Sequence, residues 1–186
     1  MTILCYGDSN TFGYDPRSYL GSRYDEPWPE LLAAMTGWQV RNNGSCSREI
    51  PRRAVVFPNN IDLLIVMLGT NDLLQGASAA LAAERMEAFL STLERGKLLL
   101  IAPPPMKRGE WVPNGELIEA SKELSVCLRA LSGKLGIRFL DAGEWNIPLA
   151  FDGVHFTEEG HRMFADALAD LLLHNDSNPG DNDLRK

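Results

Sequence analysis

Cysteine is scarce in this chain: Cys5, Cys46 and Cys127 make three, an odd number with no C-x-x-C spacing. That excludes a disulfide framework and predicts reduced thiols in a cytoplasmic chain. Cys5, inside an apolar strand, reads as a small core residue. Basic residues are outnumbered, 18 against 25 acidic, for a formal charge of −7. A nucleic-acid binder needs clustered Lys and Arg against phosphate, so no nucleic-acid partner is expected. No apolar run approaches a bilayer span, and no basic leader precedes an apolar stretch, so no membrane partner or secretory signal is expected. A P-loop, a G-x-G-x-x-G and a G-x-S-x-G elbow are all missing, which argues against nucleotide cofactors and the α/β-hydrolase elbow. Histidine is rare too, with only His155, His161 and His174. His155, Glu158, Glu159 and His161 match no H-E-x-x-H spacing, and acids are ordinary at a helix N-terminus, so no metal and no cofactor are predicted.

What is present is enough apolar residue, 45% of 186, for one domain that buries roughly 70% of its unfolded surface. Strands and helices alternate. Thr2 to Gly7, Gln39 to Asn42, Ile61 to Leu68, Lys97 to Ala102 and Ile137 to Leu140 read as strands. Ile61 to Leu68 is continuously apolar, the pattern of a strand buried on both faces. Trp28 to Met35, Ala79 to Glu94, Glu116 to Leu135 and Thr157 to Leu173 read as helices, the first with Pro27 and Pro29 near its start and the last with Thr157 as N-cap. The alternation predicts an α/β fold: a three-layer α/β/α sandwich on a five-stranded parallel sheet, flavodoxin-like in plan. Residues 1–173 form a single domain in this reading, and 174–186 form a polar, frayed tail.

Ligands of open α/β sheets bind outside the carboxyl ends of the strands. Ser9 follows the first strand, Gly44 the second, Asn71 the third and Pro103 to Trp111 the fourth. Asp152 and His155 lie between the fifth strand and the last helix. Four separated segments thus bring Gly7-Asp8-Ser9, Gly44, Gly69-Thr70-Asn71-Asp72 and Asp152-Gly153-Val154-His155 to one sheet edge. A serine hydroxyl is a poor nucleophile and needs a base within hydrogen-bond reach. Histidine suits both the proton removal and its return. Each residue also has a plainer reading. Ser9 and Gly44 could be turn residues, Asp152 an Asx-turn residue, and Asn71 or Asp72 a helix cap.

On these residues, with Asn10-Thr11-Phe12-Gly13, Pro103-Pro104-Pro105 and Asp141-Ala142-Gly143, the chain resembles the SGNH (GDSL-type) hydrolase family from Ile3 to about Leu172. Within that family it looks most like the bacterial arylesterase and perhydrolase branch. The resemblance implies a serine esterase acting on a small ester. Ser9 would be the nucleophile, His155 the base and Asp152 its orienting partner. The backbone N–H groups of Ser9 and Gly44 and the Asn71 amide would form the oxyanion hole, and Asp8 would brace the turn. Transfer of the acyl group to alcohol or peroxide fits that branch, and relatives in it often form homo-oligomers.

The rivals are a carbohydrate acetylesterase, a thioesterase or lysophospholipase with the same machinery, and a non-catalytic flavodoxin-like binding domain. Asn10 stands where the family's name motif has Leu, which bears on pocket shape. Only 16 residues separate Gly44 from Ile61, fewer than relatives carry there, which bears on pocket and subunit contacts. Asn10, Phe12, Leu73, Trp111 and Val154 are the candidate substrate pocket, although Phe12, Leu73 and Val154 would serve equally as core. Pro104-Pro105-Met106 with Trp111 forms either an apolar wall over the substrate or a stiff surface loop. Arg48 is a candidate for the site mouth.

Overall fold

The continuous apolar runs become strands covered on both faces. In the computed structural model, which describes residues 1–18 and 21–176 (of 175 and 176 the backbone alone), five strands form one parallel sheet. They are β1 (Thr2–Gly7), β2 (Gln39–Gly44), β3 (Leu63–Met67), β4 (Leu98–Ala102) and β5 (Arg138–Asp141), in the order β2-β1-β3-β4-β5. The helices are α1 (Ser9–Phe12), α2 (Trp28–Thr36), α3 (Thr70–Leu74), α4 (Ala79–Leu90), α5 (Gly115–Leu135) and α6 (Glu158–Asp176). This is the predicted α/β fold.

Period-two alternation along each strand explains the two cores. Leu4 and Tyr6 of β1, Leu64 and Val66 of β3, and Leu98 and Leu100 of β4 pack with Met86 and Phe89 of α4 and Leu124 and Leu128 of α5. Ile3 and Cys5, Leu63 and Ile65, and Leu99 and Ile101 pack on the other face with Trp28 and Leu32 of α2 and Phe164 and Leu168 of α6. Each fully buried Leu, Ile or Phe of this set contributes about 1.5–3 kcal/mol.

The element ends carry the differences from the sequence reading. Thr157 caps α6 as expected, its Oγ1 accepting from the Gly160 N–H at 2.9 Å. At its far end α6 continues to Asp176, so His174, expected to open the tail, is helical, with Nδ1 2.7 Å from the Asp170 carbonyl oxygen one turn back. Residues 177–186 of that tail lie outside the described residues. Helix α4 stops at Leu90 rather than Glu94, because the Thr92 hydroxyl takes the Phe89 carbonyl at 2.8 Å and competes with the next helical turn. No described helix is long and apolar enough to cross a membrane.

Candidate active site

Strand β1 ends at Gly7, and Asp8 turns the chain so that Ser9 is the first residue of α1. Asp8 is the N-cap: its carboxylate accepts the Asn10 N–H at 3.0 Å. Burial pushes its pKa up from 3.8 to about 6, against the opposing pull of the Asn10 N–H and of His155 and Arg48 nearby. A carboxyl whose folded pKa is raised stabilises the fold below its unfolded pKa and loses that contribution as pH rises through about 6. Asn caps as well as Asp and carries no charge. Asp8→Asn is therefore expected to be roughly 1–3 kcal/mol more favourable to stability at pH 8 than at pH 4. Urea unfolding of both proteins at the two pH values checks this; an equal effect at both would refute it.

The loop after β5 holds Asp152 and His155. Asp152 Oδ1 accepts the N–H groups of Val154 at 2.9 Å and His155 at 3.0 Å. Its Oδ2 lies 2.6 Å from His155 Nδ1, and His155 Nε2 lies 3.0 Å from Ser9 Oγ. All three side chains are buried. Burial alone would raise the Asp152 pKa, but the His155 ring and the two backbone N–H groups outweigh it and hold the carboxyl below its usual value. An ionised carboxylate only accepts, so the shared proton sits on Nδ1, and in the neutral ring this leaves the Nε2 lone pair to the serine hydroxyl. His161 is different. It is buried in α6, its Nδ1 accepts the Trp28 N–H at 3.3 Å, and burial lowers its pKa to about 3. It is a neutral core histidine.

Two segments clasp the His155 loop. Gly153 sits at φ +81°, where a Cβ would fall 2.1 Å from the Lys107 carbonyl oxygen. That close approach lets Lys107 N–H bond the Gly153 carbonyl at 2.9 Å and Trp111 N–H the Asp152 carbonyl at 3.0 Å. The Trp111 ring is thereby held 5.0 Å from the His155 ring, with Tyr14 at 4.7 Å. From the other side comes Asn10, whose Nδ2 donates to the Val154 carbonyl at 3.1 Å while its Oδ1 accepts the Phe156 N–H at 2.8 Å. Asn10 is buried and grips the backbone on both sides of His155, so it is not the pocket residue expected. Asn10→Leu, which restores the family's name motif, would orphan both groups at about 1–3 kcal/mol each. The expected result is a stability loss of roughly 2–5 kcal/mol in chemical denaturation, with a lower kcat. A loss under about 0.5 kcal/mol would show that the two bonds are dispensable.

These groups open on a cavity of about 160 Å³. Of the sequence-predicted residues, Ser9, Asn71, Trp111, Val154 and His155 line it; Tyr14, Cys46, Ser47 and Leu74 join them. Burial and the Asp8 charge raise the Cys46 thiol pKa, so this thiol stays protonated. Two other pocket expectations are corrected. Leu73 is in the core, because on the short α3 it is Leu74, three residues from Asn71, that shares the open face. The Phe12 ring lies under the Arg23 guanidinium, 5.6 Å away, outside the cavity. Met106 of the proline segment is core, so of that stretch only Trp111 forms wall. A larger groove of about 320 Å³ between Pro51–Ala54 and α4 is lined by no serine, cysteine or histidine.

The expected oxyanion donors divide. The Gly44 N–H is committed to Asn42 Oδ1 at 2.9 Å, and Gly44 packs so tightly on α1 that a Cβ would meet Phe12 N at 2.0 Å. It does not line the cavity, and the role expected of it is withdrawn. Three residues on, Ser47 has φ +60° and does line it. Among the described residues no group accepts from the N–H of Ser9 or of Ser47. Asn71 Nδ2 donates one hydrogen to the Arg48 carbonyl at 3.1 Å, leaving the second for a ligand. Asn71 and Asp72 do not cap α3; Asp72 is fully buried against Arg85 at 2.7 Å and accepts the Ile50 N–H at 2.9 Å. Among the described residues no group of three or more His, Cys, Asp or Glu is placed to hold a metal ion.

Comparison with known proteins gives the family and the fold. The GDSL-like Lipase/Acylhydrolase family matches residues 5–163. No curated protein matches the chain by sequence. Among solved structures, a proposed arylesterase from Agrobacterium tumefaciens is 29% identical, with 93% of this chain and 98% of that one covered at a TM-score of 0.79. The M. smegmatis aryl esterase is 25% identical over 93% and 98%, TM-score 0.77. A carbohydrate acetylesterase from Sinorhizobium meliloti is 25% identical over 94% and 99%, TM-score 0.76. With the family matched over most of its length and the fold shared with these esterases, the chain belongs to the GDSL-like lipase/acylhydrolase family and is a carboxylic ester hydrolase.

Proposed function

We propose that the chain is a serine esterase that hydrolyses short-chain carboxylic esters through a covalent acyl-enzyme on Ser9. One observation carries the reading: the unbroken, buried line from Asp152 Oδ2 through His155 to Ser9 Oγ, with bonds of 2.6 and 3.0 Å. In the first half-reaction Ser9 Oγ attacks the ester carbonyl carbon while its proton passes to His155 Nε2. The carbonyl oxygen becomes an oxyanion, met by the N–H groups of Ser9 and Ser47 and the free hydrogen of the Asn71 amide. Collapse breaks the bond to the leaving oxygen, which takes the proton from His155. Water then attacks the acyl-serine with His155 as base, releasing the acid. Asp152 stays ionised and stabilises the imidazolium. The steps use only this chain's groups and water.

The small cavity supports a short acyl group, being about half the lower end of the range for drug-sized ligands. The Sinorhizobium neighbour supports a second reading, an acetylated sugar as substrate of the same machinery. Both are tested by hydrolysis of p-nitrophenyl esters from acetate to decanoate and of acetylated sugars, with Ser9→Ala in parallel. Activity peaking at acetate or butyrate and lost in Ser9→Ala supports the proposal. A peak at long chains contradicts the short-acyl reading. Activity confined to sugar acetates favours the second. Acyl transfer to alcohol is read in the same assay as added methanol diverting acyl groups to methyl ester; no diversion at any concentration that leaves the protein folded rejects it.

A further inference from the structure

We infer that Arg48 is a positioning residue that holds the oxyanion donors in register, an inference that rests on the oxyanion reading above. Its guanidinium lies across the carboxyl ends of β1 and β2. Nη1 donates to the Gly7 carbonyl at 2.9 Å and to the Asn43 carbonyl, and Nη2 donates to Asn43 Oδ1 at 3.2 Å. The same plane stacks 4.2 Å from the Tyr6 ring centroid. The guanidinium is therefore turned onto the sheet end and not toward the site mouth, for which the sequence made it a candidate.

Each of these contacts leads to a donor. Gly7 lies two residues before Ser9, and its carbonyl also accepts the Ser45 N–H at 3.1 Å. Asn43 precedes the Gly44–Arg48 turn that exposes the Ser47 N–H, and Arg48 N–H closes that turn on the Ser45 carbonyl at 3.2 Å. The Arg48 carbonyl takes one hydrogen of the Asn71 amide and so fixes the direction of the other. The next turn of chain is tied to the same helix, with Ile50 N–H on Asp72 Oδ2 at 2.9 Å. Arg48 thus contacts the chain at all three donor segments: side chain to the first two, main chain to the third. A planar fork with several fixed donors can bridge two strand ends and stack on a ring at once, which an ammonium cannot do. Preorganised donors lower the barrier because they need no reorientation as charge develops, and small misplacements of such groups are costly in rate.

The test uses the whole chain with Arg48→Met and Arg48→Lys, p-nitrophenyl acetate as substrate and butylboronic acid as a tetrahedral analogue that binds the serine. We expect Arg48→Met to lower kcat about 10- to 100-fold with KM changed less than about 3-fold, and Arg48→Lys, which keeps the charge without the fork, to lose about 10-fold. The boronate Ki should rise in step with the loss in kcat/KM. In an Asn71→Ala background Arg48→Met should cost clearly less than in the parent, because one of the donors it positions is already gone. The inference is overturned if kcat stays within about 2-fold, if the loss falls on KM alone, if boronate affinity is unmoved, or if the two losses simply multiply. Should Arg48→Met fail to fold, Arg48→Lys carries the same test. Asn71→Ala alone separates the two levels: full activity there removes the oxyanion reading itself, whereas a large loss there with an inert Arg48 removes only this inference.

Discussion

Replacing His155 with alanine is expected to lower kcat by at least about 10⁴-fold, and adding Ser9→Ala to it should cost almost nothing more. The two groups act as a unit. Without the base the serine keeps its proton, and without the serine the base has nothing to activate. The 3.0 Å contact from His155 Nε2 to Ser9 Oγ makes each meaningless without the other. Asp152→Asn should come close to the same loss, because its amide can present a donor to Nδ1 and stabilise the tautomer whose Nε2 already carries a hydrogen. Single-turnover rates for the single and double variants, with thermal unfolding to confirm the fold, read this directly. Losses that multiply would mean that the two side chains serve different steps.

The second large effect belongs to Asn71. Asn71→Ala should lower kcat about 10²–10³-fold while KM stays nearly level, since its free amide hydrogen meets charge that exists only in the transition state. The variant also releases the part-buried Arg48 carbonyl, so stability should fall by about 1 kcal/mol. A loss in KM with kcat unchanged would assign Asn71 to ground-state binding instead.

Much of this architecture was legible because a buried parallel sheet writes itself as apolar runs. Lys97 to Ala102 and Ile61 to Leu68 needed no alternation to be read as strands, and the helices between them left one topology class. Ser9, Asp152 and His155 were legible for a different reason: their short-range spacing and their place after successive strands agreed. What stayed hidden was decided by side chains that reach across the fold. Nothing in Asn42-Asn43-Gly44 announces that the Asn42 side chain takes the Gly44 N–H and moves the turn's free donor on to Ser47. Leu73 and not Leu74 stands as the sequence candidate because α3 is five residues long, too short for periodicity to reveal that Leu74 is the leucine sharing a face with Asn71. Asn10 drew notice as a departure from a motif, but its grip on Val154 and Phe156 spans 144 and 146 residues of sequence. Tyr14 reaches the His155 ring only because Gly13, at φ +93°, ends α1 in a left-handed turn.

The most direct test of the central claim is intact-protein mass spectrometry after treatment with a fluorophosphonate, followed by peptide mapping. A single adduct on Ser9 is expected, formed with loss of all esterase activity and absent from Ser9→Ala. No adduct, or one that persists in Ser9→Ala, would contradict a Ser9 acyl-enzyme.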